Sequence, residues 1–166
     1  VELTEGEQVR TREKKYKRFD VMVKVMEMGS QMRKRSLESI TRWGQLAREI
    51  VDMAPELPIG YTGLGWYHNA LASVGKSPEE NLKKAYGFAT KAISLDESES
   101  SAYGLMASVY RRMRQHEKAI TAGKRAIELD PNGADVHMIL GYVLTYAGRP
   151  DEAIEYFNKA IRLDPM

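Results

Sequence analysis

A repeat limits what this chain can fold into more than any other feature. Residues 100–132 set against 134–166 align Val109, Ala119, Ile120, Ala126, Ile127, Leu129, Asp130 and Pro131 with Val143, Ala153, Ile154, Ala160, Ile161, Leu163, Asp164 and Pro165, at a constant offset of 34 residues. One period earlier, Ala85, Ala92, Ile93, Leu95 and Asp96 continue the series. A unit repeated at this spacing cannot bury its apolar face alone, so its copies must stack on one another. Alanine at fixed positions in each copy permits close packing there, and the proline that ends two copies breaks any helix at that point.

The period, the alanines seven apart and the closing "LDP" resemble the tetratricopeptide repeat (TPR), a helix-turn-helix unit. That family marks its first helix with a bulky residue, a Leu-Gly pair and an aromatic. Here the last copy supplies His137, Leu140-Gly141 and Leu144, and the copy before it Tyr103, Met106-Ala107 and Tyr110. The resemblance implies an all-α, right-handed solenoid of about four helical pairs, divided as 100–133 and 134–166 for the regular units.

Upstream, the pattern loosens. A unit over 58–99 starts with Tyr61 and Leu64-Gly65, but its next marker, Ala85, comes eight residues late. The insertion contains "ALASVGKS" (residues 70–77), which reads like a relaxed Walker A phosphate loop. Such a loop follows a β-strand, whereas "YTGLGWYHNALASV" carries the marks of a repeat helix. No apolar strand ending in aspartate is present to hold Mg²⁺ either. Gly75 reads as the stop of that helix, and Ser77-Pro78-Glu79-Glu80 as a helix start with a serine N-cap, proline at N1 and Glu80 closing a capping box. The stretch is therefore expected to be a turn between two lengthened helices.

Residues 18–57 form a degenerate pair, in which Trp43 and Ile50 replace the expected alanines and Ser36 opens the second helix. Before it, 1–17 predicts a short separate helix or linker with Thr4 as N-cap and Glu7 at N3. Met22, Met26, Met28 and Met32 are expected to fill a core, the alternative being an adaptable binding surface. Residues 10–18 carry six cations against Glu13, a solvated face unless they contact phosphate. His68, His116 and His137 are too scattered for a metal site, and first-turn acids such as Asp151-Glu152 suit the helix dipole.

Composition excludes further classes. The chain has 166 residues, 43% apolar and 29% charged, with net charge +2, so nothing demands nucleic acid or membrane as a partner. With no cysteine there are no disulfides, thiolate metal sites or cysteine nucleophiles. No run reaches the roughly 18 apolar residues of a membrane-spanning helix. The sequence predicts no enzyme, no cofactor and no metal, in a cytoplasmic setting; it begins at valine, which implies an upstream part.

The lengthened unit with "SPEE" and the "YAGRPDEAI" turn narrow the resemblance to the repeat region that follows the catalytic domain in bacterial class III adenylate/guanylate cyclases. That implies a protein-interaction or regulatory module, without the cyclase's own metal-binding aspartates. In the family the concave face binds partners, and its first-helix positions fall on Thr62, Trp66 and Asn69, on Ser101, Ser108, Arg111 and Arg112, and on Asp135, Met138, Tyr142, Thr145 and Tyr146. Arginines beside aromatics suit a peptide or helix with acidic and apolar side chains. The last helix is expected to leave Ile154, Phe157, Ile161 and Leu163 partly uncovered, an edge suited to a second copy of the chain. Two other functional classes stay open: nucleic-acid contact through residues 10–18, and a phosphate-loop enzyme.

Overall fold

The computed structural model describes residues 5–34 and 36–165, with side chains from Arg18 onward apart from Arg33. Among the described residues there are eight helices and no strand. They are α1 (Glu5–Lys34), α2 (Leu37–Met53), α3 (Pro58–Ser73), α4 (Pro78–Leu95), α5 (Ser100–Arg112), α6 (His116–Leu129), α7 (Ala134–Tyr146) and α8 (Pro150–Leu163). Each helix packs on its neighbour in the chain, and α3–α5 and α5–α7 also touch, so first helices stack along one side. This is the all-α solenoid that the period implied.

The alanine seams explain the close pairing. Ala85, Ala92, Ala119, Ala126, Ala153 and Ala160 are all buried, where a larger side chain would push the helices apart. Glycines serve the same end: a methyl group on Gly141 of α7 would lie 2.6 Å from Cε1 of Phe157 on α8. Buried apolar residues form two clusters. One, around Leu46, Ala47, Ile50 and Leu64, belongs to α1–α3; the other, around Leu105, Val109, Leu140 and Val143, joins α4–α8. Trp66 packs against both.

Helix ends follow from local chemistry. After α3, Gly75 at φ +79° lets its own N–H donate to Ala72 O and the Lys76 N–H to Leu71 O, a Schellman stop. Gly148 at φ +77° ends α7 in the same way, its N–H donating to Thr145 O and that of Arg149 to Leu144 O. After α5 the same bonds form around Arg114 at φ +58°, a position without glycine. At the start of α2, Ser36 and Ser39 cap each other reciprocally.

Three expectations are corrected. Residues 5–34 form one helix rather than a short helix followed by another, because no proline and no internal glycine between Glu7 and Glu27 interrupts it; Thr4 lies outside the described residues. Ser77 sits in the left-handed region at φ 38° and makes no side-chain cap, so the capping box with Glu80 does not form. Asn81 instead ties the turn to the helix, its Nδ2 donating to Lys76 O at 2.7 Å and Ser77 O at 3.3 Å, and the first-turn N–H groups of α4 have no side-chain cap. Of the four methionines, only Met28 is in the core; Met22, Met26 and Met32 are exposed, with Phe19 and Val23 beside them. α1 packs mainly on α2, and one partner helix covers only one stripe.

Candidate interaction groove

The first helices run parallel, since the pairs Gly104/Ile139 and Arg111/Tyr146 that bring α5 and α7 together are each 35 residues apart. Along them lies a groove of about 590 Å³. Its walls include Trp66, Asn69, Ser108, Arg111, Arg112, Asp135, Met138 and Tyr142 of α3, α5 and α7, all of which the family pattern assigned to the concave face. Met32, Ile40 and Trp43 of α1 and α2 also line it, as do Ile161 of α8 and Asp164 just beyond that helix. No local pattern marks these residues, because they reach the groove only through the stacking of the units.

The floor is apolar and its ends are charged. Trp66 is held by its indole Nε1, which donates to Ser101 Oγ at 3.4 Å. Asn69 Nδ2 donates to Ser108 Oγ at 3.3 Å, leaving Asn69 Oδ1 buried with no protein partner. Tyr142 is exposed and meets the Phe157 ring edge-on, with centroids 5.3 Å apart. Because α5 and α7 are parallel, Arg111 and Arg112 stand at one end of the helix rows and Asp135 near the other. The Arg111 guanidinium lies over the Tyr146 ring, 4.6 Å from its centroid. Arg112 is half-buried, and burial first, then the neighbouring Arg111 charge, hold its guanidinium below the ordinary value.

Four predicted positions do not line the groove. Thr62 is buried and its hydroxyl donates to Pro58 O at 3.1 Å, so it serves its own helix. Ser101 is occupied in fixing Trp66. Thr145 is exposed and donates to Gly141 O at 2.9 Å. Tyr146 lines a second cavity, which shares Arg111 and Arg112 with the groove. On α8, Ile154 and Ile161 are exposed, but Phe157 and Leu163 are only partly so, Phe157 because its ring fills the space over Gly141.

The phosphate-loop geometry is not there. Residues 70–73 belong to α3, and the Gly75 and Lys76 N–H groups that would face a phosphate are spent on the helix end. His68 Nδ1 donates to Asn81 Oδ1 at 2.7 Å and the ring stacks on Phe88, a packing role. His137 meets the Pro131 carbonyl at 3.0 Å and so ties the turn between units. No three of His, Asp and Glu cluster as a metal site among the described residues. No described helix is long and apolar enough to cross a membrane. Residues 10–18 lie on α1, but of their side chains only that of Arg18 is described, and it is exposed.

Stacked helical pairs with a side-chain-lined groove along their first helices define an all-α solenoid. Residues 105–165 match the tetratricopeptide repeat family, and the fold is the TPR fold. A thermophilic TPR protein of Thermus thermophilus superposes with a TM-score of 0.70 at 20% identity, 83% of this chain against 71% of that one. A crystal structure of MamA gives 0.55 at 21% identity over 99% and 97% of the two chains. A portion of MamA from Desulfovibrio magneticus RS-1 gives 0.53 at 20% identity over 85% and 70%. Among curated proteins none matches the sequence. At such identities the likeness establishes the fold alone.

Proposed function

We propose that the chain is a protein-interaction module that holds a peptide or helix of a partner protein in the α3–α5–α7 groove. The observation that carries this is the groove's composition: an apolar floor of Trp66, Met138 and Tyr142 between arginines at one end and Asp135 at the other. That arrangement suits a polypeptide segment with apolar anchors and oppositely charged ends. Binding of peptides selected from a random library, read by fluorescence anisotropy, tests it. Tyr142→Ala and Met138→Glu each weaken binding about tenfold or more, the size of a lost interface anchor, with helicity and melting unchanged. Selected peptides that bind both variants as well as the parent overturn the groove.

The module is further proposed to regulate a bacterial, cytoplasmic signalling protein of the nucleotide-cyclase type. The "SPEE" insertion and "YAGRPDEAI" turn support it. The gene sequence upstream of Val1 tests it: a class III cyclase domain supports the assignment, and any other domain overturns it.

A further inference from the structure

The turn joining α5 to α6 reads Arg111-Arg112-Met113-Arg114-Gln115-His116, three arginines and a histidine within six residues. The equivalent turn one repeat later, Thr145 to Pro150, has a single cation. Arg111, Arg112, Arg114 and His116 line one cavity of about 580 Å³, walled on the other sides by Ala72, Pro78 and Leu82 of the preceding unit and Tyr146 of the next. No carboxylate lines it. Three other arginines do pair with acids, Arg42 with Glu27, Arg125 with Glu128 and Arg149 with Glu152. Among the described residues Arg111, Arg112 and Arg114 form no ion pair, although Arg112 is half-buried with its Nε sealed from solvent and unpartnered.

Cations gathered without a counter-charge repel one another, and partial burial raises that cost. An anion in the cavity removes both penalties. Guanidinium forks match tetrahedral oxyanions, and the 14-residue α6 begins at His116 with no side chain capping its free N–H groups. Three guanidiniums exceed what one carboxylate neutralises, which favours a dianion. Arg111 and Arg112 line both the cavity and the groove, so the two spaces adjoin at these side chains.

We propose that the turn Arg111–His116 is an oxyanion site that takes a phosphate group, presented as a monoester by the polypeptide segment in the groove. The carrier rests on the groove assignment; the anion site does not.

Calorimetric titration with inorganic phosphate at constant ionic strength tests the site by itself. The chain binds one phosphate saturably, with Kd on the order of 1 mM, and the double variant Arg112→Gln/Arg114→Gly weakens it about tenfold or more, as loss of charge-assisted hydrogen bonds requires. Both substitutions relieve strain or buried charge, so circular dichroism of the variant stays that of the parent. Tyr142→Ala leaves phosphate binding unchanged. A groove-selected peptide carrying phosphoserine binds more tightly than its serine form, and only the arginine variant cancels that gain. No saturable phosphate binding, or binding indifferent to the double variant, overturns the oxyanion site and leaves the groove standing. Phosphate binding with no gain from phosphoserine overturns the carrier, as does a single-stranded oligonucleotide that binds this turn more tightly than the phosphopeptide.

Discussion

Arg114 occupies a backbone conformation that its neighbours in the repeat give to glycine. Its φ of +58° matches Gly75 and Gly148, which end α3 and α7 with the same pair of hydrogen bonds. A side chain in the left-handed region costs about 1–2 kcal/mol, partly offset because glycine gives the unfolded chain more freedom. Arg114→Gly is therefore expected to raise stability by about 0.5–1 kcal/mol and the melting temperature by about 2–3 °C. Thermal melts in chloride buffer check this, and an unchanged or lower midpoint contradicts it. Retention of a strained arginine fits a side chain kept for its charge. Single positions also mark where the sequence was legible: Trp66, Asn69 and Arg111 fall on the groove face as the family spacing implied, whereas Thr62 shares that spacing and is sealed. Burial of Thr62 depends on the neighbouring helices, which no single repeat encodes.

Helix pairs differ in what holds them. α7 and α8 meet through Gly141 and Phe157, where a Cβ would lie within 2.9 Å of three ring atoms. Gly141→Ala must displace the ring and is expected to cost about 1–3 kcal/mol, measured by urea unfolding. A change within error would mean that α8 moves freely on α7. The bulkier α1–α2 pair is joined instead across its surface: Lys24 bonds Glu49, and Arg42 reaches Glu27 and Glu49. The Lys24 hydrogen bond, more than any other cause, holds the Glu49 carboxyl below its ordinary value of 4.5. A depressed carboxylate stabilises the fold above its unfolded value and loses that contribution as pH falls through its folded value. Glu49→Gln should thus lower the melting temperature modestly at pH 7 and progressively less as pH falls below the unfolded carboxylate value, and salt should shrink the difference because the pair is solvent-exposed. A pH-independent difference would assign Glu49 a packing role. Lengthening of α3 and α4 was readable from the eight-residue delay before Ala85, but what ties down their turn was not. Asn81 Nδ2 reaches back from α4 to donate to the Lys76 and Ser77 carbonyls, while Ser77, at positive φ, makes no cap.

At the scale of the molecule, two cores meet at Trp66, which packs against both. Repeat solenoids unfold as coupled neighbours, so cooperativity depends on such joints. The parent is expected to unfold in one step. In Trp66→Ala only Trp43 remains of the two tryptophans, and its fluorescence reports the α1–α3 cluster alone. That signal should separate from circular dichroism at 222 nm along a urea titration; coincident curves would show that the alanine seams carry the coupling without the indole. Ile154 and Ile161 stand exposed on α8, and exposed apolar patches of this kind favour association. Light scattering of this chain should show self-association rising with concentration, removed by Ile154→Glu/Ile161→Glu; a monomer at every concentration contradicts it. The sequence by itself determined the repeat, the helical pairs and the alanine seams, because a 34-residue period with small residues seven apart is a local pattern that only stacked helices satisfy. Only the tertiary structure decided which first-helix side chains stay open to a ligand, that Trp43 and Ile161 also line the groove, and that three arginines share a cavity without a carboxylate. Those properties belong to the stacking of the units, which sums small rotations from one to the next and brings together residues that no repeat places side by side.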